Sequence, residues 1–266
     1  MCSQEYLYHY TSLDALVMII KNKSLRFNSL LDVDDMEEAE TNDMGKFGKY
    51  VYVSCWTNDG IESVPMWNMY TRDMHGVRIK LPTYPFLKYH YHAGQYNFKQ
   101  EADTYINYEK IYGENIAMIA PNEPKLVEVQ YTEEEGLLYP QIKSYSVGTT
   151  KLQESKYSYG NLGKYKRKAW SFQKEWRYVL FAAPVGYNDF MKDGIKATKT
   201  LSNHFEDPNS PAPYNHFYLS LDEEKLAQIE IVFGPRMTEA EKTLARTFLD
   251  SNGYMGCYRD SQLRIK

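Results

Sequence analysis

Glu175 opens an apolar run, Arg177-Tyr178-Val179-Leu180-Phe181-Ala182-Ala183, and few positions in the chain are harder to accommodate. A carboxylate beside apolar strand residues is costly unless a partner or a function holds it there. Trp170, Lys174, Trp176 and Arg177 stand close to it in sequence. Two readings follow: a half-exposed strand end with a surface ion pair, or a working carboxylate. Strand alternation puts Glu175, Arg177, Val179 and Phe181 on one face.

A second segment, Leu7-Tyr8-His9-Tyr10-Thr11-Ser12, adds to the case. Glu5 to Tyr10 reads as a short strand with His9 and Thr11 on one face and Tyr8 and Tyr10 on the other. Thr11 or Ser12 can cap a helix whose apolar stripe is Leu13, Leu16, Val17 and Ile20. Lys21-Asn22-Lys23 suits its end, and Leu25-Arg26-Phe27-Asn28 reads as the next strand. A lone histidine near a strand end is usually structural. Here a capped helix leaves directly after it, and helix amides beside an imidazole suit a phosphate or another anion.

Further strands are expected at Tyr50–Trp56, Val77–Leu81, Leu126–Tyr131, Phe217–Leu221 and Ile229–Phe233. Pro65 suits a first helical turn, and Met66, Trp67 and Tyr70 share one helical face. A helix is predicted around Ala102 to Ile119, a basic helix across Lys164 to Lys168, and a loop over Asn203 to Tyr214. Thr238 to Asn252 reads as an amphipathic helix. Thr238 and Glu241 would form its capping box, Leu244, Thr247 and Phe248 its inner face, and Gly253 its stop. No repeat or linker breaks the 266 residues, so one mixed α+β domain over 1–266 is expected.

Composition narrows the function classes. A formal net charge of −4 gives no global attraction to nucleic acid or an anionic membrane. Cys2, Cys55 and Cys257 are widely spaced and odd in number, which implies free thiols in a reducing compartment. With no signal-peptide pattern at the first residues and no 18-residue apolar run, a cytoplasmic protein without a membrane span is expected. The 25 tyrosines suit a binding cleft, though plain cores use them too.

Other constellations are weaker. Seven acidic residues between Asp32 and Asp43 read as a solvated loop or helix face, or as a metal cluster lacking histidine. His90 and His92 would share one side of an extended segment as a metal pair, with no carboxylate or cysteine at suitable spacing. No GxSxG elbow or phosphate-binding glycine loop is present. Cys55 reads as a small core residue rather than a nucleophile. Lys164, Lys166, Arg167 and Lys168, interleaved with Tyr165 and Trp170, have the composition of a phosphate or nucleic-acid surface, or of a solvated helix face.

These segments, in this order, resemble a bacterial family of unknown function. The resemblance rests on Tyr8-His9-Tyr10-Thr11-Ser12, Leu25-Arg26-Phe27, Asp34-Asp35-Met36-Glu37, Val53-Ser54-Cys55-Trp56, Met66-Trp67-Asn68-Met69-Tyr70 and His75-Gly76-Val77. It continues through Lys168-Ala169-Trp170, Glu175-Trp176-Arg177 and Ile231-Val232-Phe233-Gly234-Pro235-Arg236. Val33 and Asp35 stand where that family carries Asn and Pro. More distantly, the start resembles ADP-ribosyltransferases of the diphtheria-toxin-like and DNA-modifying toxin kind. That resemblance implies a split sheet with flanking helices, and NAD as a substrate that needs no metal. His9 would hold the NAD ribose and Glu175 would be the catalytic carboxylate. Tyr52 or Tyr70 would stack on nicotinamide, and Arg177 or Lys168 would hold phosphate. Tyr10, Thr11, Ser54 and Trp67 would complete the nucleotide site. It further implies a toxin or phage-defence effector acting on nucleic acid or protein. The alternative is a non-catalytic module that binds a nucleotide or nucleic acid.

Overall fold

The run Val51–Thr57 becomes the strand around which the rest is arranged. Its alternation decides this. Tyr52 and Trp56 enter one buried cluster, whereas Val51 and Val53 enter another, with Cys55 packed against it. A strand apolar on both faces has to lie inside. The computed structural model describes residues 5–114, 117–147 and 153–265. Cys2 lies outside them.

In chain order the elements are β1 (Tyr6–Thr11), α1 (Leu13–Asn22), β2 (Ser24–Ser29), β3 (Val51–Thr57), α2 (Val64–Tyr70), β4 (Val77–Pro82), β5 (Tyr89–Tyr91), β6 (Ala102–Thr104), α3 (Tyr108–Glu114), β7 (Ala117–Glu128) and β8 (Gln130–Thr132). There follow α4 (Glu135–Leu138), β9 (Lys143–Val147), β10 (Gln153–Tyr157), β11 (Tyr165–Arg167), β12 (Glu175–Gly186), α5 (Tyr187–Lys192), α6 (Gly194–Glu206), β13 (His216–Ser220), α7 (Glu223–Leu226), β14 (Glu230–Phe233), α8 (Glu239–Ser251) and β15 (Tyr258–Asp260). The fold is mixed α+β. Among the described residues one nine-stranded sheet runs β13-β2-β3-β1-β4-β14-β15, and β12 and β7 branch from β3. Two-stranded pieces form from β5 with β6, β8 with β11, and β9 with β10. No helix among the described residues is long and apolar enough to cross a membrane. Cys55 and Cys257 are free.

Local signals set several elements as expected. Ser12 caps α1 by accepting from Ala15 N at 3.2 Å, and Leu16, Ile19 and Ile20 face inward. Thr238 and Glu241 form their capping box on α8. Other expectations fail. Lys164–Lys168 is not a helix: Tyr165–Arg167 pairs in parallel with β8, and a 3-10 segment, Lys168–Gln173, follows. The helix expected over Ala102–Ile119 shrinks to α3, because β6 pairs with β5 and β7 pairs with β12. The loop expected from Asn203 begins only after α6 ends at Glu206. In α8 Phe248 packs against the main cluster as expected, beside the buried Ala245 and Leu249, but Thr247 is exposed and Leu244 is 72% exposed. β4 alternates in its apolar residues, with Val77, Ile79 and Leu81 in the main buried cluster; on its other face Arg78 is also buried, while Lys80 and Pro82 are half-buried.

Gly76 sets the start of β4 against the end of β1. A Cβ there would sit 2.2 Å from the Thr11 carbonyl oxygen and 2.7 Å from Thr71 Cβ. Backbone cannot yield as a flexible side chain can. Gly76→Ala is therefore expected to cost about 3 kcal/mol of stability, read as a lowered urea midpoint at unchanged slope. A midpoint equal to wild type would show that the approach is looser than this.

Candidate functional site

Two strands share one edge of β3 and leave a gap between them. β1 meets β3 at the pair Tyr8↔Thr57, and β2 meets it at Asn28↔Val53 and Ser29↔Tyr52. Neither strand has a register partner at Ser54–Trp56, whereas β12 pairs with those residues on the opposite edge. A cavity of about 610 Å³ lies against this gap. Its walls are the end of β1 with the Ser12 cap, α1, part of β2, Ser54–Trp56, and Glu175 with Arg177.

His9 is placed by the gap. Its Nδ1 lies 2.7 Å from the Cys55 carbonyl oxygen, at the stretch of β3 that the neighbouring strands do not reach. A carbonyl only accepts, so Nδ1 carries the proton and Nε2 is left as an acceptor. The ring is tilted on Trp56 with centroids 5.1 Å apart. Nε2 has no hydrogen-bond partner among the described residues, and His9 lines the cavity. Burial lowers the His9 pKa, against an opposing pull from the Cys55 carbonyl. The imidazole is therefore neutral at pH 7. NMR titration is expected to find it protonating below the ordinary histidine value of about 6.5, and a value above that would contradict the geometry.

Glu175 is 5% exposed and Arg177 fully buried. Arg177 donates from Nε to Glu175 Oε1 at 2.6 Å and from Nη2 to Oε2 at 2.9 Å. It also donates to both oxygens of Glu38 and to the Gly163 carbonyl. Lys166 Nζ reaches Glu38 at 3.1 Å, Glu175 at 3.3 Å and Gln173 Oε1 at 2.9 Å. Two carboxylates and two cations thus close a buried network. Burial alone would raise the Glu175 pKa, but the Arg177 and Lys166 charges overcome it and hold the carboxyl down at about 2. Beside it, burial and then the Glu175 charge push the Cys55 thiol well up, so it is no thiolate nucleophile.

The expected site residues divide. His9, Tyr10, Thr11, Ser54, Tyr70, Glu175 and Arg177 line the one cavity. Tyr10 OH is occupied by Ser63 N at 2.9 Å, and Ser54 Oγ accepts from Trp56 Nε1 at 3.0 Å. Tyr70 OH accepts from Gln173 Nε2 at 2.5 Å, and burial followed by the Asp34 charge raises its pKa. Three residues do not reach the cavity. Tyr52 is fully buried, its hydroxyl closed in a pair of bonds with the Tyr214 backbone. Trp67 is core, edge-on to Tyr10 with its Nε1 on Glu62. Lys168 is exposed, its backbone N on Glu133, because β11 ends at Arg167 and the chain turns there into the 3-10 segment Lys168–Gln173. The basic surface is also smaller than its composition suggested, since Lys166 is buried and Arg167 pairs with Glu37 and Glu133.

Sequence reasoning missed Glu38, Lys166 and Gln173. Glu38 belongs to the acidic stretch read as solvated, yet it and Asp35 are buried. The available signal was charge balance: a buried Arg177 beside one Glu and a Lys needs a second carboxylate.

The cavity can take a nucleotide-sized ligand, since small-molecule sites run to roughly 300–1,000 Å³. Its charged lining is balanced, with Arg26, Arg72, Lys166 and Arg177 against Asp14, Asp32, Asp34 and Glu175. Affinity for a dianion would then rest on local donors and stacking rather than net charge. Tyr8, Trp56, Tyr70 and Tyr218 supply aromatic faces. Comparison with protein-family models, curated proteins and solved structures returned no match.

Proposed function

We propose that the cavity binds NAD and that the protein is an ADP-ribosyltransferase-like enzyme, with nucleic acid or protein as the acceptor and a toxin or phage-defence role. One observation carries the reading: His9 and Glu175, remote in sequence, line the same cavity beside the capped start of α1. The divergence of β1 and β2 on one edge of β3 is the split that such a fold would use.

In this reading His9 Nε2 accepts from a ribose hydroxyl, and an aromatic wall stacks on the nicotinamide ring. The bond from ribose C1′ to the nicotinamide nitrogen breaks, and nicotinamide leaves with the electron pair. Positive charge gathers on the ribose as in glycosyl transfer. The acceptor then bonds to C1′ and releases its proton to solvent. Glu175 acts as fixed negative charge close to that cation. A carboxyl held near pKa 2 is a poor proton acceptor, so general-base work is not assigned to it. No metal enters this scheme.

Calorimetry with NAD and a nicotinamide-release assay across nucleic-acid and protein acceptors test the proposal. Micromolar binding and turnover are expected, and no binding under any acceptor would end it. A second reading, a nucleotide- or nucleic-acid-binding module without turnover, is favoured by the engagement of both Glu175 oxygens with cations. Binding without nicotinamide release would select it. Steep weakening with salt would mark nucleic acid as its ligand.

A further inference from the structure

Away from the cavity, the β5–β6 hairpin assembles what the local sequence lacked. Extended pairing sets His90 opposite Asp103, and Glu101 precedes β6. His90 Nδ1 lies 2.9 Å from Asp103 Oδ1, and its Nε2 lies 2.8 Å from Glu101 Oε2. His92 Nδ1 lies 3.0 Å from the same Glu101 oxygen. One atom each from His90, His92 and Glu101 thus falls within 4.8 Å of the others. We propose that His90 Nε2, His92 Nδ1 and Glu101 form a divalent transition-metal site, with zinc the best fit and water completing the coordination.

The geometry fits the ion. Zinc bonds to nitrogen or oxygen at about 2.0–2.1 Å in a tetrahedron, which puts its ligands roughly 3.3 Å apart. The present contacts need only small side-chain movements to admit it. The imidazoles stand at 82° to each other, with centroids 5.1 Å apart, and so approach one point from two directions. Asp103 is the orienting partner. It accepts the proton of His90 Nδ1 and thereby leaves Nε2 free to ligate, the usual carboxylate–histidine–metal arrangement. The scaffold is firm on its other side, where Tyr91 is buried against Phe98, Tyr96 and Tyr108. Alternation then turns the two histidines outward together. All three ligands are exposed, so the ion has an entry path and an open position. Lys88, 3.9 Å from Asp103, is the cation that an incoming ion would meet.

Titration of metal-free protein with Zn²⁺ at pH 7.5 tests the assignment. One equivalent is expected, with a Kd on the order of micromolar. His92→Ala and Glu101→Gln should each weaken binding at least tenfold, and Asp103→Asn by about tenfold. Co²⁺ should give the visible absorption of a low-coordinate site in the wild type and not in the His90→Ala/His92→Ala double variant. These side chains are exposed, so unchanged melting curves of the metal-free variants are expected. Two outcomes overturn the proposal. One is no stoichiometric zinc binding, which would mark the cluster as surface charge pairs only. The other is zinc and cobalt binding that survives in the double variant, which would put the metal elsewhere.

Discussion

Arg177→Met is expected to lower the free energy of unfolding by about 3–5 kcal/mol, the range for breaking a buried ion pair from one side. The guanidinium is fully buried and serves both Glu175 and Glu38. Without it two carboxylates remain inside with Lys166 as their only cation in the network. Replacing Glu38 as well, in Glu38→Gln/Arg177→Met, should recover part of the loss by removing one stranded charge. The pH dependence has a definite sign. The folded-state pKa of Glu175 is depressed from 4.5 to about 2. Its contribution is therefore present above about pH 4.5 and fades as pH falls toward 2, in total about 3 kcal/mol. In Arg177→Met the largest downward pull is gone, and burial drives the same carboxyl upward. Acid should then hurt the wild type more than the variant, and their urea curves should converge below pH 4. A deficit under 1 kcal/mol, or one of constant size from pH 7 to pH 3, would mean that water reaches this network and screens it.

What the sequence made legible was local. The Ser12 cap, the α1 stripe and the β3 composition are each encoded within a dozen residues, and each appears in the fold. The strand alternation that put Glu175 and Arg177 on one face also holds, and it aims both at the cavity. What failed depended on remote partners. Tyr165–Arg167 is a strand because β8, some 35 residues earlier, offers it a parallel neighbour; its charged residues and short length give no such hint. Nothing local separates Glu38 from the six other acids in its stretch, since its partner Arg177 is 139 residues away. His90 and His92 seemed to lack a carboxylate because Glu101 and Asp103 arrive only when the hairpin closes. Tyr52 was misplaced for the same reason, its hydroxyl being claimed by Tyr214.

Glu175→Gln is expected to cut nicotinamide release by about 10²–10³-fold, the cost of removing one electrostatic group from a charge-developing site. The substitution keeps the shape of the side chain. It leaves Arg177 and Lys166 facing Glu38 alone, so some loss of stability accompanies it, and lost turnover by itself would not separate chemistry from folding. Glu38→Gln supplies the control. Glu38 binds the same two cations but does not line the cavity, so its neutralisation disturbs the network without facing the ligand. If Glu175 stabilises the ribose cation, both variants melt lower by similar amounts, both retain NAD affinity within about tenfold, and only Glu175→Gln loses the chemical step. His9→Ala should show the complementary pattern, with NAD binding weakened about tenfold by the loss of one hydrogen bond of about 1.4 kcal/mol. Equal loss of turnover in Glu38→Gln and Glu175→Gln would reduce Glu175 to a structural member of the network. The cavity would then remain a place to bind a nucleotide, and the carboxylate no more than the counterion that keeps Arg177 in the interior.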